Sequence, residues 1–256
     1  MRNKFTIKKL DDGRALLNLG CGTTMDHKWN NIDFSPYAFL VRHKALAFFT
    51  RKLGLLSDQR FERLSGLDPN IIRWDLKRGI PFANDQFDAI YTSNLLEHFD
   101  LQNAISLLEE CHRVLRKDGI LRIVVPDLET LVRNYVDTLN NAKKDSKKIN
   151  IHLRAIDNIF EQIIRVEPYG TSRQQRFVRF IENLLRRNAQ SSGEAHRWMY
   201  DSVSLINYLN KVGFKKIVVC NYRTSNINDF NSYKFDLKLS HSERDLSLFI
   251  EGIKNE

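Results

Sequence analysis

The sequence predicts an α/β domain on a mostly parallel sheet, and three observations carry that reading. Short apolar runs bounded by turn residues alternate with stretches of helical periodicity, the pattern of βα units. The first run passes into a Gly-x-Gly turn, "LLNLGCG" at 16–22. Lone carboxylates close the next two runs, Asp33 after "NNI" and Asp75 after "NIIRW", where open α/β sheets place ligand-binding groups.

Each element follows in order. "RALLNLG" (14–20) reads as a buried strand, "NNID" (30–33) as a very short second strand and "NIIRWD" (70–75) as a third. "FDAIYTS" (87–93) is the fourth, introduced by the turn "ANDQ". Residues 101–116 put Leu101, Ala104, Ile105, Leu108, Cys111 and Leu115 on one helical stripe, with Gly119 as the C-terminal cap. "ILRIVV" (120–125) is the fifth strand, ended by Pro126. A helix over 202–212, Gly213, a strand at 215–222 and a last strand at 246–253 complete the alternation.

Two segments interrupt it. Residues 36–66 are helical in composition, with apolar groups spread around the wheel. Residues 128–190 read as two or three helices. The last sets Phe177, Ile181, Leu184 and Leu185 on one face and Arg179 and Arg186 on the other. Between Gly22 and Asp33 the chain is too short for a full helix.

The totals bound the possibilities. A chain of 256 residues with 42% hydrophobic and 28% charged residues is globular in composition and long enough for one large domain. No apolar run approaches the roughly 18 residues of a membrane span, and "MRNKFTIKKLDDG" lacks the apolar centre of a secretory signal. Cys21, Cys111 and Cys220 form neither a disulfide framework nor a zinc pattern, which suits a reducing cytoplasm. A net charge of +9 attracts acidic headgroups, phosphate-bearing substrates or nucleic acid. Its basic residues gather at Arg42–Lys52, at 142–148 and from Arg173 to Arg187.

The glycine turn lets backbone approach a ligand closely. Asp33 is placed to accept from both hydroxyls of a ribose, and Asp75 to meet the exocyclic amine of an adenine. Met25 stands where a dinucleotide fingerprint would need its third glycine, so that alternative is poorly supported.

"LLNLGCG", "NID", "WDLKRGIPFANDQFDAIYTSNLLEHF", "LEECHRVLRKDGILRIVVPDLE" and "HRWMYDSVSLINYLNKVGF" together resemble the class I S-adenosylmethionine-dependent methyltransferases of type 11. They are most similar to a bacterial branch associated with surface-polysaccharide biosynthesis. The resemblance implies a three-layer Rossmann-like fold with a seven-stranded, mostly parallel sheet and an antiparallel last strand. It makes 1–256 one methyltransferase domain, with 36–66 and 128–190 as helical insertions forming a lid or acceptor site. It implies that Gly20, Cys21 and Gly22 underlie the methionine part of S-adenosylmethionine, that Asp33 and Phe34 lie at the ribose end, that Asp75 and Leu76 meet the adenine edge and that Asn94 lines the pocket. Two positions depart from the family: Asn18 replaces the usual acid before the glycines, and Thr24 the usual third glycine. Asn18 can still hydrogen-bond but brings no charge to the cofactor.

The implied reaction is O-methylation of a sugar hydroxyl on a surface glycan or its lipid- or nucleotide-linked precursor, with S-adenosylhomocysteine as product. A hydroxyl acceptor must lose a proton, so the candidate bases are His98 after the fourth strand, Asp127 after the fifth and His196 before the helix at 202. Each has a structural alternative: Glu97–His98 or Asp127 as helix caps, and His196 within a packed aromatic loop. Arg197, Trp198 and Tyr200 are the candidate sugar contacts. The histidines show no i, i+4 pairing, so no metal is expected. Expected partners are a glycan or glycolipid and an anionic membrane surface, in the cytoplasm or at the inner membrane face. Two alternatives stand beside this: an RNA methyltransferase, and a non-catalytic scaffold that the departures at Asn18 and Thr24 would allow.

Overall fold

The computed structural model describes residues 3–53, 56, 58–65, 67–163 and 196–255. Its sheet contains β1 (Leu16–Leu19), β2 (Asn30–Asp33), β3 (Ile72–Arg73), β4 (Phe87–Ser93), β5 (Leu115–Pro126), β6 (Phe214–Cys220) and β7 (Ser247–Lys254). The order is β3-β2-β1-β4-β5-β7-β6. Strands β3, β2, β1, β4 and β5 pair in parallel, and β7 inserts antiparallel between β5 and β6. This is the expected architecture, a seven-stranded, mostly parallel sheet with its last strand antiparallel.

No helix separates β1 from β2, whose connection is a run of turns. Three short helices, α1 (Pro36–Arg42), α2 (Lys44–Lys52) and α3 (Asp58–Ser65), fill the β2–β3 crossover. Helix α4 (Leu101–Val114) links β4 to β5, and α5 (Leu128–Lys144) and α6 (Ile149–Ile163) pack together after β5. Helix α7 (Ser202–Val212) leads into β6, and the short α8 (Phe230–Tyr233) and α9 (His241–Asp245) precede β7. The helix expected around Phe177–Leu185 lies outside the described residues.

The end of α4 corrects the sequence reading. The helix stops at Val114, and Leu115 is already extended and paired with Phe87. Sheet pairing thus takes Leu115 from the helix, and the extra residues before Ile120 are absorbed in a bulge turned by Asp118 at φ +60°. Gly119 is therefore part of β5 and not a helix cap. The buried stripe of α4 is Ala104, Leu107, Leu108, Cys111 and Val114, rotated from the one predicted. The third strand is also shorter than expected, since only Ile72 and Arg73 pair with β2.

One apolar layer packs α4 and α7 on the sheet through Leu17, Leu19, Ile90, Leu121, Ile123, Leu107 and Leu205. The other face packs Leu16, Ala89, Tyr91 and Val124 against Trp29, Phe230, Tyr233 and Phe235. Within that layer Arg122 of β5 is fully buried opposite Glu251 of β7. Its guanidinium donates to Glu251 Oε1 at 2.7 Å and to Asp236 Oδ2 at 2.9 Å, and Tyr91 donates to Asp236 Oδ1 at 2.8 Å. The cluster joins the antiparallel β7 and its preceding loop to the parallel half of the sheet.

Candidate active site

The parallel strands deliver their carboxyl ends in one row: Asp75 beyond β3, Asp33 on β2, Gly20 after β1, Asn94 after β4 and Asp127 after β5. At about 4.8 Å per strand the row spans roughly 19 Å, enough for an extended nucleoside bearing an amino-acid tail. The strands at this edge run into turns and short loops, except β5, which passes through Asp127 directly into α5.

The glycine turn sits at the middle of the row. Gly20 and Gly22 adopt φ +63° and +49°, a region where L side chains are strained. A Cβ at Gly20 would meet Leu95 Cδ1 at 2.7 Å, so a side chain there would push on the loop after β4. A Cβ at Gly22 would enter open space, leaving a bare backbone face.

Asp33 ties this turn to β2. Its Oδ2 accepts from Gly22 N at 2.7 Å and its Oδ1 from Ser35 N at 2.6 Å, and it is 7% exposed. Each oxygen keeps a second lone pair, so the carboxylate can hold the turn and still accept from a ligand's hydroxyls. Asn18 braces the turn from below. Its Nδ2 donates to Thr24 O at 2.8 Å and Asn31 Oδ1 at 3.1 Å, and Asn31 in turn donates to Asp26 O and Trp29 O. Among the described residues no donor reaches the buried Asn18 Oδ1. Thr24 folds back onto Cys21 O at 2.7 Å. Burial, reinforced by the Asp33 carboxylate, pushes the Cys21 thiol well up, which makes it packing and not a nucleophile.

Phe34 follows Asp33 with its ring 56% exposed and the Arg73 guanidinium 5.0 Å from its centroid. Asp75 caps a short 3-10 turn by accepting from Lys77 N at 3.0 Å, and Leu76 beside it is buried. Asn94 is exposed at φ +49°, with its N–H donated to Val124 O at 3.0 Å. Asparagine tolerates this conformation better than other side chains do. The site thus offers an apolar ring, a buried acceptor and a two-oxygen carboxylate around a bare backbone turn, which fits a nucleoside with a charged amino-acid tail.

On the β4–β5 side the histidines come together. His98 and His196 stack edge-to-face with centroids 4.9 Å apart. His196 Nε2 lies 3.9 Å from Glu97 Oε1, and its Nδ1 meets the Gln162 carbonyl of α6. The Glu97 backbone carbonyl accepts from Arg197 N at 2.7 Å and Trp198 N at 3.2 Å, stitching the loop after β4 to the segment before α7. A capping box at Asp201 and Ser204 starts α7 and so sets where that segment ends.

Glu97 was read from the sequence only as half of a capping pair. The cap of α4 is instead Asp100, which accepts from Asn103 N, and Glu97 is a fully buried carboxylate beside two imidazoles. Its adjacency to His98 was the one available signal. Asp127 sits at the row's far end but is occupied in capping α5: its Oδ1 accepts from Glu129 N at 3.1 Å and its Oδ2 from Thr130 Oγ1 at 2.5 Å. Tyr200 is 1% exposed inside the core, with its hydroxyl 3.5 Å from Leu96 O. Burial and then the Glu97 charge raise its phenol above the usual range. Arg197 is exposed and Trp198 is 40% exposed, so of this group these two face outward.

Residues 17–123, from within β1 to within β5, match the family model described as a methyltransferase domain. No curated protein sequence matches the chain. Among solved structures, the chain is similar to a possible exported protein from Bordetella parapertussis (11% identity, TM-score 0.42), covering 94% of this chain and 62% of that one. It therefore spans less than two thirds of that relative's length. A Thermotoga maritima protein described as an S-adenosylmethionine-dependent methyltransferase, possible histamine N-methyltransferase, is 15% identical at TM-score 0.42, with 96% and 84% of the two chains covered. The YcgJ protein from Bacillus subtilis is 14% identical at TM-score 0.39, with 94% and 92% covered.

Proposed function

We infer that this chain, whose residues 17–123 match the family model described as a methyltransferase domain, moves a methyl group from S-adenosylmethionine to a hydroxyl of a sugar. The acceptor we propose belongs to a surface glycan or its lipid- or nucleotide-linked precursor, reached from the cytoplasm. The whole chain acts as one domain in this reading, with α1–α3 and the helices after β5 as its acceptor-binding additions. The observation that carries it is the pairing of two features on one sheet edge: the Gly20–Gly22 turn held by Asp33, and the imidazoles of His98 and His196 on the β4–β5 side.

Bound at the turn, the sulfonium donor supplies an activated methyl carbon. Asp33 would accept from the ribose hydroxyls and Phe34 would cover the adenosine. The Gly20–Gly22 backbone would pass beneath the methionine tail, and the spare acceptor of Asn18 lies beside that turn. Displacement at a methyl carbon needs an oxygen aligned opposite the sulfur. The chain's part is to orient that oxygen and remove its proton. His98 and His196 are the groups we assign to the oxygen. Asp127, engaged in its cap, is a poorer base. Trp198 offers a flat apolar face for a sugar ring and Arg197 a charge for a linking phosphate. Basic, aromatic-bearing helices favour a phosphate-linked substrate near an anionic surface. Exposed Phe48 and Phe49 stand beside Arg51 and Lys52 on α2. No helix among the described residues is long and apolar enough to cross a membrane.

The test is a turnover assay with S-adenosylmethionine and a panel of nucleotide sugars, polyprenyl-phosphate-linked sugars and transfer RNA, read as S-adenosylhomocysteine formed. Turnover on a sugar acceptor that falls at least tenfold in Trp198→Ala supports the reading. Turnover on RNA alone would replace it, and donor binding with no turnover on any acceptor would favour a scaffold.

A further inference from the structure

We propose that α2 and the turn leading into it form a docking surface for an anionic phospholipid bilayer. Leu46, Phe49 and Leu53 recur at i, i+3 and i+7, so they share one face of the helix. They are 42%, 61% and 73% exposed. Leu53 closes the helix and still belongs to the stripe, because its N–H donates to Phe49 O at 3.0 Å. Phe48, on the flank, is also exposed and meets the Phe49 ring edge-on. Exposed apolar groups scattered singly are ordinary, but a contiguous patch of them marks a contact.

The helices on either side of α2 do the packing. Ala38 and Val41 of α1 and Leu64 of α3 join a buried cluster with Cys21 and Met25, next to the glycine turn. Of the α2 side chains that the structure describes, only Ala47 is buried. The fold thus anchors α2 through its neighbours and leaves its own apolar stripe outside.

Charge selects the occupant. From Phe34 to Ser57 the chain carries Arg42, Lys44, Arg51 and Lys52 and no Asp or Glu. Asp58, the next acid, is taken by Arg51, whose Nε donates to it at 2.7 Å. Arg42 and His43 stay exposed at the start of α2 and Lys52 on its last turn. Lys52 Nζ lies 5.1 Å from the Phe48 centroid, so its charge rides at the rim of the apolar face. A crest of Leu and Phe with a cationic rim fits an anionic bilayer, where the apolar groups enter the acyl boundary and the cations meet phosphates. A second copy fits poorly, since a two-fold contact through this face sets like charges against each other. Nucleic acid would meet the cations, but its bases stack on aromatic rings and offer nothing to Leu46 and Leu53.

This surface is tied to the donor edge. Ser35 caps α1 with its hydroxyl and donates its N–H to Asp33 Oδ1 at 2.6 Å. The use of the docking rests on the proposed function: a chain held on the bilayer meets a lipid-linked acceptor by diffusion along a surface. The docking itself stands on the stripe and its charge, whether or not a methyl group is moved.

The experiment sediments the full chain with sucrose-loaded vesicles of phosphatidylcholine, alone or mixed in equal parts with phosphatidylglycerol, over a range of salt. Binding should be at least tenfold tighter to the mixed vesicles and should fall as salt is raised. Phe49→Ser combined with Leu53→Ser should weaken it at least tenfold. Val203→Ser, at an apolar side chain equally exposed on α7, should leave it unchanged. Arg42→Glu combined with Lys52→Glu should abolish the preference for phosphatidylglycerol, and it carries the test should the serine pair fail to fold by circular dichroism. A folded wild type that stays in the supernatant with both vesicles overturns the proposal. So does a folded serine pair that sediments like wild type, because the contact would then lie elsewhere. Ultracentrifugation without lipid and titration with transfer RNA run alongside. A dimer or an RNA complex that the serine pair dissolves, in place of vesicle binding, would give the face to that occupant and overturn the proposal. Formation of S-adenosylhomocysteine on a polyprenyl-phosphate-linked sugar is read in the same samples. Vesicle binding without turnover would count against the methyl-transfer reading and leave the docking surface standing. Turnover on a soluble nucleotide sugar without vesicle binding would overturn the docking alone.

Discussion

Asp33→Asn separates what this carboxylate does for the fold from what it does for a ligand. In the wild type its two oxygens accept from Gly22 N and Ser35 N at 2.7 and 2.6 Å. An asparagine supplies one oxygen and one NH2, so one backbone donor must face another donor. Leaving one buried donor unsatisfied costs about 1–3 kcal/mol. For a chain of this size each kcal/mol moves the melting temperature by roughly 2–4 °C, so a fall of about 2–12 °C is expected. The ligand side is independent. Replacing a hydrogen bond to a charged acceptor with a neutral one removes about 1–1.5 kcal/mol of affinity for the donor. That is a roughly 5- to 13-fold rise in Kd. Calorimetric titration of S-adenosylmethionine and S-adenosylhomocysteine, with thermal unfolding of the ligand-free protein, reads the two effects separately. Unchanged affinity in a variant that melts lower would refute the ribose assignment and leave Asp33 a purely structural clamp. An unchanged melting temperature would refute the paired-acceptor argument itself.

Two further outcomes follow from the same packing. Gly20→Ala forces a side chain into φ +63° and sets a Cβ 2.7 Å from Leu95 Cδ1; with about 1–2 kcal/mol of backbone strain alone, the protein should unfold at lower denaturant and bind the donor at least tenfold more weakly. Retained affinity would show that the loop after β4 gives way freely. Glu110 carries the pH dependence. Burial raises its carboxyl pKa, but Arg113's hydrogen bonds, the Ile80 N–H and the Arg113 charge outweigh that and hold it below the ordinary 4.5. A lowered pKa stabilises the fold above the ordinary value, and that stability is lost as pH falls through the folded value. The stability gap between wild type and Glu110→Gln, from urea midpoints, should therefore be full at neutral pH and shrink once the pH drops below about 4.5. A gap that is constant down to acid would contradict this.

Much of the donor half was legible because it is local. A parallel strand buried on both faces must be apolar, and the turn that lets a ligand approach it must be glycine. "LLNLGCG" and the carboxylates at Asp33 and Asp75 therefore advertise themselves within a few residues. The α7 helix and Gly213 were equally readable, since a capping residue and a left-handed glycine mark a helix from its own sequence. The end of α4 was not, because Leu115 continues the helical period while its backbone satisfies Phe87 in the sheet, and only the partner strand decides between them. The exposed faces of Trp198 and Arg197 and the burial of Tyr200 belong to one short segment, whose periodicity is set by what it packs on and not by itself.

The sequence by itself thus determined the α/β alternation, the glycine turn and the carboxylates of the donor edge, since local backbone and burial requirements leave few residue types able to serve there. Tertiary structure alone decided what lies opposite. Glu97 and His98 meet His196 only because parallel pairing brings the end of β4 beside β5, and α6 supplies the carbonyl that turns His196 Nε2 toward them. Long-range contacts of that kind are set by the closing of the sheet and leave no periodic trace in the chain.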